Sequence, residues 1–408
     1  MPKPKKPAHD RKSPVRRARA EAADAAAASR EADGADGASI RRVRDALLAW
    51  YDANRRDLPW RRTRDPYAIW ISEAMLQQTR VETVIPYWER FLARYPDVES
   101  LANAAIDDVY AVWTGLGYYS RARNLKAAAE SIVADHGGAL PSDEGALLRL
   151  PGVGRYTAGA VASIAFDREA PIVDGNVVRV FARLEDIRAD SGEKAVVDRL
   201  WALAACLVRG PRPGDLNQAL MELGATLCTP KRPDCGACPV RVHCRAAAAG
   251  DPETLPRRAK RTAVRSMRAI AVAIDRGGRL LAVRRPEKGL MAGLWELPGG
   301  LLAEGEEAKD RAPEILREAV GLEVRELESV GGIEHVFTHR RLALEVFRAK
   351  ALPGARARIT GFTAHRWLEP EALLALAHAG STRKALTLLG YCDEPSARAA
   401  DAASRRPR

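Results

Sequence analysis

Four cysteines crowd into one short stretch of this 408-residue chain: Cys228, Cys235, Cys238 and Cys244, in the pattern C-x6-C-x2-C-x5-C. Thiolates so spaced meet at one centre only if the loop wraps it, and an all-sulfur donor set suits a [4Fe–4S] cluster or a tetrahedral zinc ion. Zinc more often takes two paired knuckles, which this spacing lacks. Cys206 and Cys392 stand alone, and no secretory leader is evident, so a metal site is expected, not a disulfide framework. A second chemical candidate is Glu73, the only carboxylate in "PYAIWISEAMLQQT" (66–79). Helical spacing puts it on one face with Ile69 and Leu76, where an apolar setting raises a carboxyl pKa and suits a general acid. Asp174, in "PIVDGNVVRV", precedes a helix, where aspartate ordinarily serves as an N-cap. "LPGVGRYTAG" (150–159) is a glycine-rich turn entering a helix, a shape that offers backbone N–H groups to an anion such as phosphate.

Helical periodicity supplies the elements that must hold these groups. It begins at Ser39 and recurs over 67–80, 81–94, 100–113, 119–135, 142–150, 155–166, 175–186, 193–209 and 214–226, with no strand before residue 250. Residues 245–267 read as a polar, basic linker. Beyond it the period changes to two: strands are expected at 270–274, 280–285, 322–329, 333–338, 342–349 and 361–368, with a helix at 306–320. The fold class expected is multi-domain, an all-α domain followed by a smaller α+β domain. The net charge is +12, of which the tails 1–40 and 393–408 carry +4, leaving a basic body that fits an anionic partner. No apolar run is long enough to span a membrane. Residues 1–39 read as a disordered basic tail, with an organellar transit peptide as the alternative, and 393–408 as a second disordered tail.

The words "SEAMLQQT", "WTGLGYYSRARN", "LPGVGRYTAGA" and "DGNVVRV", together with the cysteine loop, resemble adenine DNA glycosylases of the MutY type. These are helix–hairpin–helix iron–sulfur enzymes that excise adenine mispaired with 8-oxoguanine. The resemblance covers residues 41–250 and turns the cysteine set into a [4Fe–4S] site. It implies a helix–hairpin–helix glycosylase domain over 40–227, an iron–sulfur loop over 228–244, a linker over 245–267 and a Nudix-like domain over 268–392. Glu73 becomes the acid that protonates adenine and later helps activate water. Asp174 becomes the stabiliser of the sugar cation left when the base departs; a carboxylate about 4 Å from it is worth roughly 4 kcal/mol at an effective dielectric near 20. Asn176 organises the carboxylates, and Tyr156 contacts the Glu73 side of the site. Arg56, Trp60, Leu76 and Gln218 fall where the family builds its adenine pocket. Gln78 and Tyr118 fall where it inserts side chains into the base stack, Thr79 is a contact to the oxidised base, and Gly152, Val153 and Gly154 meet the DNA backbone.

In the sister endonucleases the position of Tyr156 is a lysine whose amine attacks the sugar. A phenol forms no Schiff base, so the resemblance implies a monofunctional enzyme that leaves an abasic site. Val178 likewise replaces a lysine that some relatives carry after "DGNV". Residues 293–324 resemble a Nudix segment, but starting at Gly300 the metal helix is broken. Glu306 is in place, while the required Arg-Glu is Glu314-Ile315 and the Glu-Glu is Glu318-Ala319. Nucleotide hydrolysis is therefore not expected of it. Phe337, Thr338 and His339 stand where the family reads 8-oxoguanine with Phe-Ser-His; threonine keeps the hydroxyl. The partner implied is duplex DNA bearing 8-oxoguanine:adenine or guanine:adenine mispairs. The protein is expected to be monomeric and to act in the cytoplasm or nucleoid.

Overall fold

The computed structural model describes residues 35–259, 265–337 and 340–393. The tail before residue 35, residues 260–264 of the expected linker, Thr338 and His339 of the expected 8-oxoguanine contacts, and the tail after 393 lie outside the described residues. The helical part runs α1 (Ala35–Asn54), α2 (Pro66–Leu76), α3 (Val81–Arg94), α4 (Val98–Ala102), α5 (Ile106–Trp113), α6 (Ser120–His136), α7 (Glu144–Leu147), α8 (Arg155–Phe166), α9 (Gly175–Leu184), α10 (Lys194–Leu207), α11 (Pro213–Thr226) and α12 (Arg245–Ala249). The helix expected over 100–113 is two helices. Asp97 caps the first, accepting from the Ser100 amide at 2.7 Å, and an extended Ala105 precedes the second. The helix expected to reach residue 80 stops at Leu76, because Gln78 takes a left-handed backbone with φ of 58°.

Two compact units result, one from residues up to Ala74 with 140–260, the other from Met75–Ala139 with the residues from 261 onward. Residues 245–259, read from composition as linker, carry α12 and a short 3-10 turn, and Ser191 donates to the Arg257 carbonyl at 2.9 Å.

In the first unit, Leu47 and Tyr51 of α1, Ile164 of α8, Val177 and Phe181 of α9 and Leu216 and Leu220 of α11 share one core. The closeness of α11 to α9 depends on Gly224. A Cβ there would lie 2.6 Å from the Asn176 Cβ and 3.1 Å from its Cα.

In the second unit a seven-stranded sheet is built from β1 (Arg265–Arg276), β2 (Arg279–Arg284), β3 (Trp295–Glu296), β4 (Gly299–Leu302), β5 (Val324–Phe337), β6 (Arg340–Ala351) and β7 (Ala364–Leu368). The order is β3-β2-β1-β6-β5, with β4 on β1 and β7 on β2; β1 and β6 run parallel. Alternation along β1 sends Ile270, Val272 and Ile274 into the core under α13 (Ala308–Val320). Ala269, Ala271 and Ala273 face the core that includes Ala385 and Leu386 of α15 (Gly380–Leu388), which follows α14 (Pro370–Ala375). The two strands expected at 322–329 and 333–338 are one, β5, interrupted by register shifts at Arg325/Glu328 and Ser329/Gly331. Among the described residues no helix is long and apolar enough to cross a membrane.

Glycine inside a helix is less favourable than alanine by about 1 kcal/mol. Gly224→Ala should nonetheless lower the thermal unfolding midpoint, since overpacking costs about 1–3 kcal/mol. A raised midpoint would show that α9 yields to the methyl group.

Candidate active site

Glu73 lies in the second half of α2, 4% exposed. Tyr156, in the first turn of α8, donates its hydroxyl to Glu73 Oε2 at 2.7 Å and also lies 3.1 Å from the Met221 sulfur. Burial pushes the Glu73 carboxyl up to about 7; the Tyr156 hydrogen bond opposes this, Asp174 adds to it and Arg61 counters. Burial also drives the Tyr156 hydroxyl well above its ordinary value, and the negative charges of Glu73 and Asp174 push the same way.

Asp174 is the N-cap of α9. Its Oδ1 accepts from the amides of Asn176 (3.0 Å) and Val177 (2.7 Å), and its Oδ2 accepts from the Asn176 side chain at 2.9 Å. Burial raises its pKa against the downward pull of those donors. Asn176 Oδ1 accepts from Arg179 at 2.8 Å, and Arg179 donates in turn to the carbonyls of Gly224 and Cys228, both at 2.7 Å. A continuous hydrogen-bonded path thus runs from Asp174 to the first cysteine of the loop.

The expected pocket residues hold an ion network that local sequence does not announce. Arg56 grips Glu222 with two nitrogens, at 2.7 and 2.9 Å, and its amide adds a third bond. Arg61 reaches the same carboxylate at 2.8 Å. Burial would raise the Glu222 pKa, but the two guanidiniums overcome it and hold the carboxyl at about 2. Trp60 and Gln218 are buried and Leu76 is half-buried. Glu222 follows Gln218 by one helical turn of α11, the signal that could have drawn attention to it.

The hairpin turn has Gly152 at φ 74°, open to glycine at no steric cost. Gly154 is the N-cap of α8 and offers no side chain to the first amides of that helix. In the second unit, Gln78 and Thr79 form the turn after α2, and Tyr118, 47% exposed with φ 48°, ends a second turn at 114–118. Tyr118 and Phe337, far apart in sequence, line one cavity of about 470 Å³, shared with Arg123, Leu294, His335 and Arg340.

A model of the HhH-GPD superfamily base excision DNA repair proteins matches residues 71–206, and a NUDIX domain model matches 269–388. The adenine DNA glycosylase of Rattus norvegicus is 39% identical over 385 residues, covering 81% of this chain and 74% of the relative. That of Homo sapiens is 39% identical over 390 residues, covering 82% and 71%. A solved structure of a thermostable thymine-DNA glycosylase is 33% identical, with a TM-score of 0.49 over 53% of this chain and all of its own. The chain belongs to the adenine DNA glycosylase family.

In this glycosylase the four loop cysteines are free of disulfides and partly buried. Burial pushes the Cys238 thiol up to about 11, and Cys228, Cys244 and Cys235 each add to the rise. Arg183, itself 1% exposed, donates to the Cys228 sulfur at 3.2 Å and to the carbonyls of Thr229, Pro230 and Leu255. A thiol held protonated in this way gives up its proton when a multiply charged metal binds, so the all-cysteine donor set suits such a centre. No three or more His, Cys, Asp or Glu side chains among the described residues are arranged around a single ion. In the Nudix-like domain, Glu306 (3.2 Å), Glu314 and Glu318 (3.8 Å) all turn to the guanidinium of Arg311.

Because the folded-state pKa of Glu73 lies above the ordinary 4.5, the folded protein holds an extra proton between the two values. The stability this contributes is complete below pH 4.5 and lost as pH rises through about 7. Glu73→Gln, which never ionises, should therefore gain on the parent between pH 5.5 and pH 8, by about 2 kcal/mol in urea unfolding. A constant difference across that range would remove Glu73 ionisation from the account.

Proposed function

We propose that this enzyme hydrolyses the N-glycosidic bond of adenine opposite 8-oxoguanine or guanine in duplex DNA and stops at an abasic site. The observation that carries the reading is the buried Glu73, with a tyrosine hydroxyl 2.7 Å away and the half-buried Asp174 close enough to raise its pKa. A carboxyl with a pKa near 7 is substantially protonated at neutral pH and gives its proton to the adenine ring as the bond to the sugar breaks. The electrons of that bond leave with the base, and Asp174 stabilises the cation left on the sugar. The Glu73 carboxylate then takes a proton from the attacking water, whose oxygen joins the sugar carbon, and the acid is restored. Tyr156 keeps its proton and offers no amine, so nothing at this position forms a Schiff base. Asn176 orients Asp174.

By the family resemblance, Arg56, Trp60, Leu76 and Gln218 receive the extruded adenine. Gln78 and Tyr118 fill the gap it leaves, Gly152–Gly154 bind the backbone, and Thr79, Phe337, Thr338 and His339 read the oxidised base. Support for the reader comes from the cavity shared by Tyr118 and Phe337. Cys228, Cys235, Cys238 and Cys244 would hold a [4Fe–4S] cluster, which cross-links the loop and supplies it with positive iron. The Nudix-like domain serves recognition, not hydrolysis, since Arg311 stands among its remaining carboxylates. The enzyme is taken to work as a monomer.

End-labelled duplexes holding 8-oxoguanine:A, G:A or 8-oxoguanine:C test this. Strand breaks at adenine should appear only after hot alkali and fastest opposite 8-oxoguanine, and Glu73→Gln should lose about a thousandfold in rate. Breaks without alkali would identify a lyase nucleophile, and binding without cleavage a non-catalytic DNA-binding protein. Tyr156→Phe removes a bond that lowers the Glu73 pKa. The fall of the single-turnover rate with rising pH should then move to higher pH, and an unmoved or downward limb would separate Glu73 from the acid step.

A further inference from the structure

Arg121, in "YYSRARN", is 8% exposed although it carries a full charge, and four of its hydrogen bonds go to main-chain carbonyls at two separate turns. One nitrogen, Nη1, donates to the carbonyls of Met75 (2.6 Å) and Gln77 (2.7 Å), at the end of α2. The other, Nη2, donates to Leu116 (3.3 Å) and Gly117 (3.2 Å) in the second turn. The guanidinium also stands 5.4 Å from the ring centres of both Trp113 and Tyr118. The Trp113 indole reinforces the second turn by donating to the Gly117 carbonyl at 3.0 Å.

Each turn holds a non-glycine residue in the left-handed region, Gln78 at φ 58° and Tyr118 at φ 48°. Such a backbone costs of order 1–3 kcal/mol and persists only where its surroundings over-determine it. The planar fork of arginine can grip two carbonyl pairs at once, which a lysine ammonium cannot do with the same geometry.

We propose that Arg121 is a positioning residue for base extrusion, a single buried cation that sets Gln78 and Tyr118 at a fixed separation and presents both to the base stack together. This rests on the reading of Gln78 and Tyr118 as the inserted side chains. Arg121 itself touches no DNA in this account. Its effect on excision passes through the two turns.

The test uses the full-length protein and an 8-oxoguanine:A duplex with 2-aminopurine beside the target adenine, whose fluorescence rises when stacking is broken. Arg121→Lys should lose most of the rise and about tenfold in single-turnover excision, as expected when charged hydrogen bonds to one turn are lost. In a Gln78→Ala/Tyr118→Ala background the same substitution should change the rate by less than about twofold, because the groups it positions are gone. A full fluorescence rise in Arg121→Lys, or an undiminished tenfold loss in that background, overturns the proposal while the insertion reading stands. An unchanged rise in Gln78→Ala/Tyr118→Ala overturns the insertion reading and the proposal with it. Should Arg121→Lys not fold, Gly117→Ala carries the test. It has room for the methyl group but not the φ of 73°. It shifts an Arg121 acceptor and should show the same loss, and a full rise there overturns the proposal.

Discussion

The hydrogen bond from Tyr156 to Glu73 is the contact on which the rest of the site depends, because it gives a buried carboxyl group a partner in a dry place. Glu73 must be buried for its pKa to rise, yet an unpartnered buried carboxyl would cost several kcal/mol. The phenol answers that demand without contributing a charge of its own. It must approach from a helix that enters the site at its N-terminus, so α8 begins where it does, straight out of a glycine turn with no capping side chain. Asp174 meets the complementary demand. Two backbone amides and the Asn176 amide favour its ionised form against burial, so two electrostatically coupled carboxyls stand in different environments.

Buried charges elsewhere follow the same rule, and each ties a loop to a helix. Glu222 on α11 accepts from Arg56 and Arg61, which brackets the short turn at 59–61 around Trp60. Arg179 joins Asp174's partner Asn176 to the cysteine loop, and Arg183 holds that loop's carbonyls from one turn further along α9. Such networks are demanding. Fully satisfied they specify one arrangement, and half-broken they are worse than an apolar core. The preponderance of arginine in them follows from its fork, which satisfies two or more acceptors at once.

The Nudix-like sheet builds its two cores on the alternation of β1. The helix α13 packs Ile315 and Leu316 into the core, and on its outer side Arg311 pairs with Glu314 and Glu318. What the sheet contributes is the far end of β5, where Phe337 shares a cavity with Tyr118.

Sequence alone determined the local features. The 3.6-residue period and its punctuation marked α8 at 155–166 to the residue, because a glycine turn starts it and nothing inside interrupts it. Spacing put Glu73 on the apolar face of α2 and Asp174 at a helix start, where they are found. The change to a two-residue period marked where strands begin. Only the tertiary structure decided which helices group together, since residues 75–139 join the sheet-bearing residues in one unit through contacts that no local pattern encodes. It also joined 322–329 and 333–338 into one strand, because bulges disturb the alternation that would have announced it. The partners of Arg56 and Arg121 were equally hidden. A charged residue's sequence tells that it needs a counterpart, but the acceptors are a carboxylate far along the chain in one case and main-chain carbonyls in the other, and carbonyls carry no sequence signature.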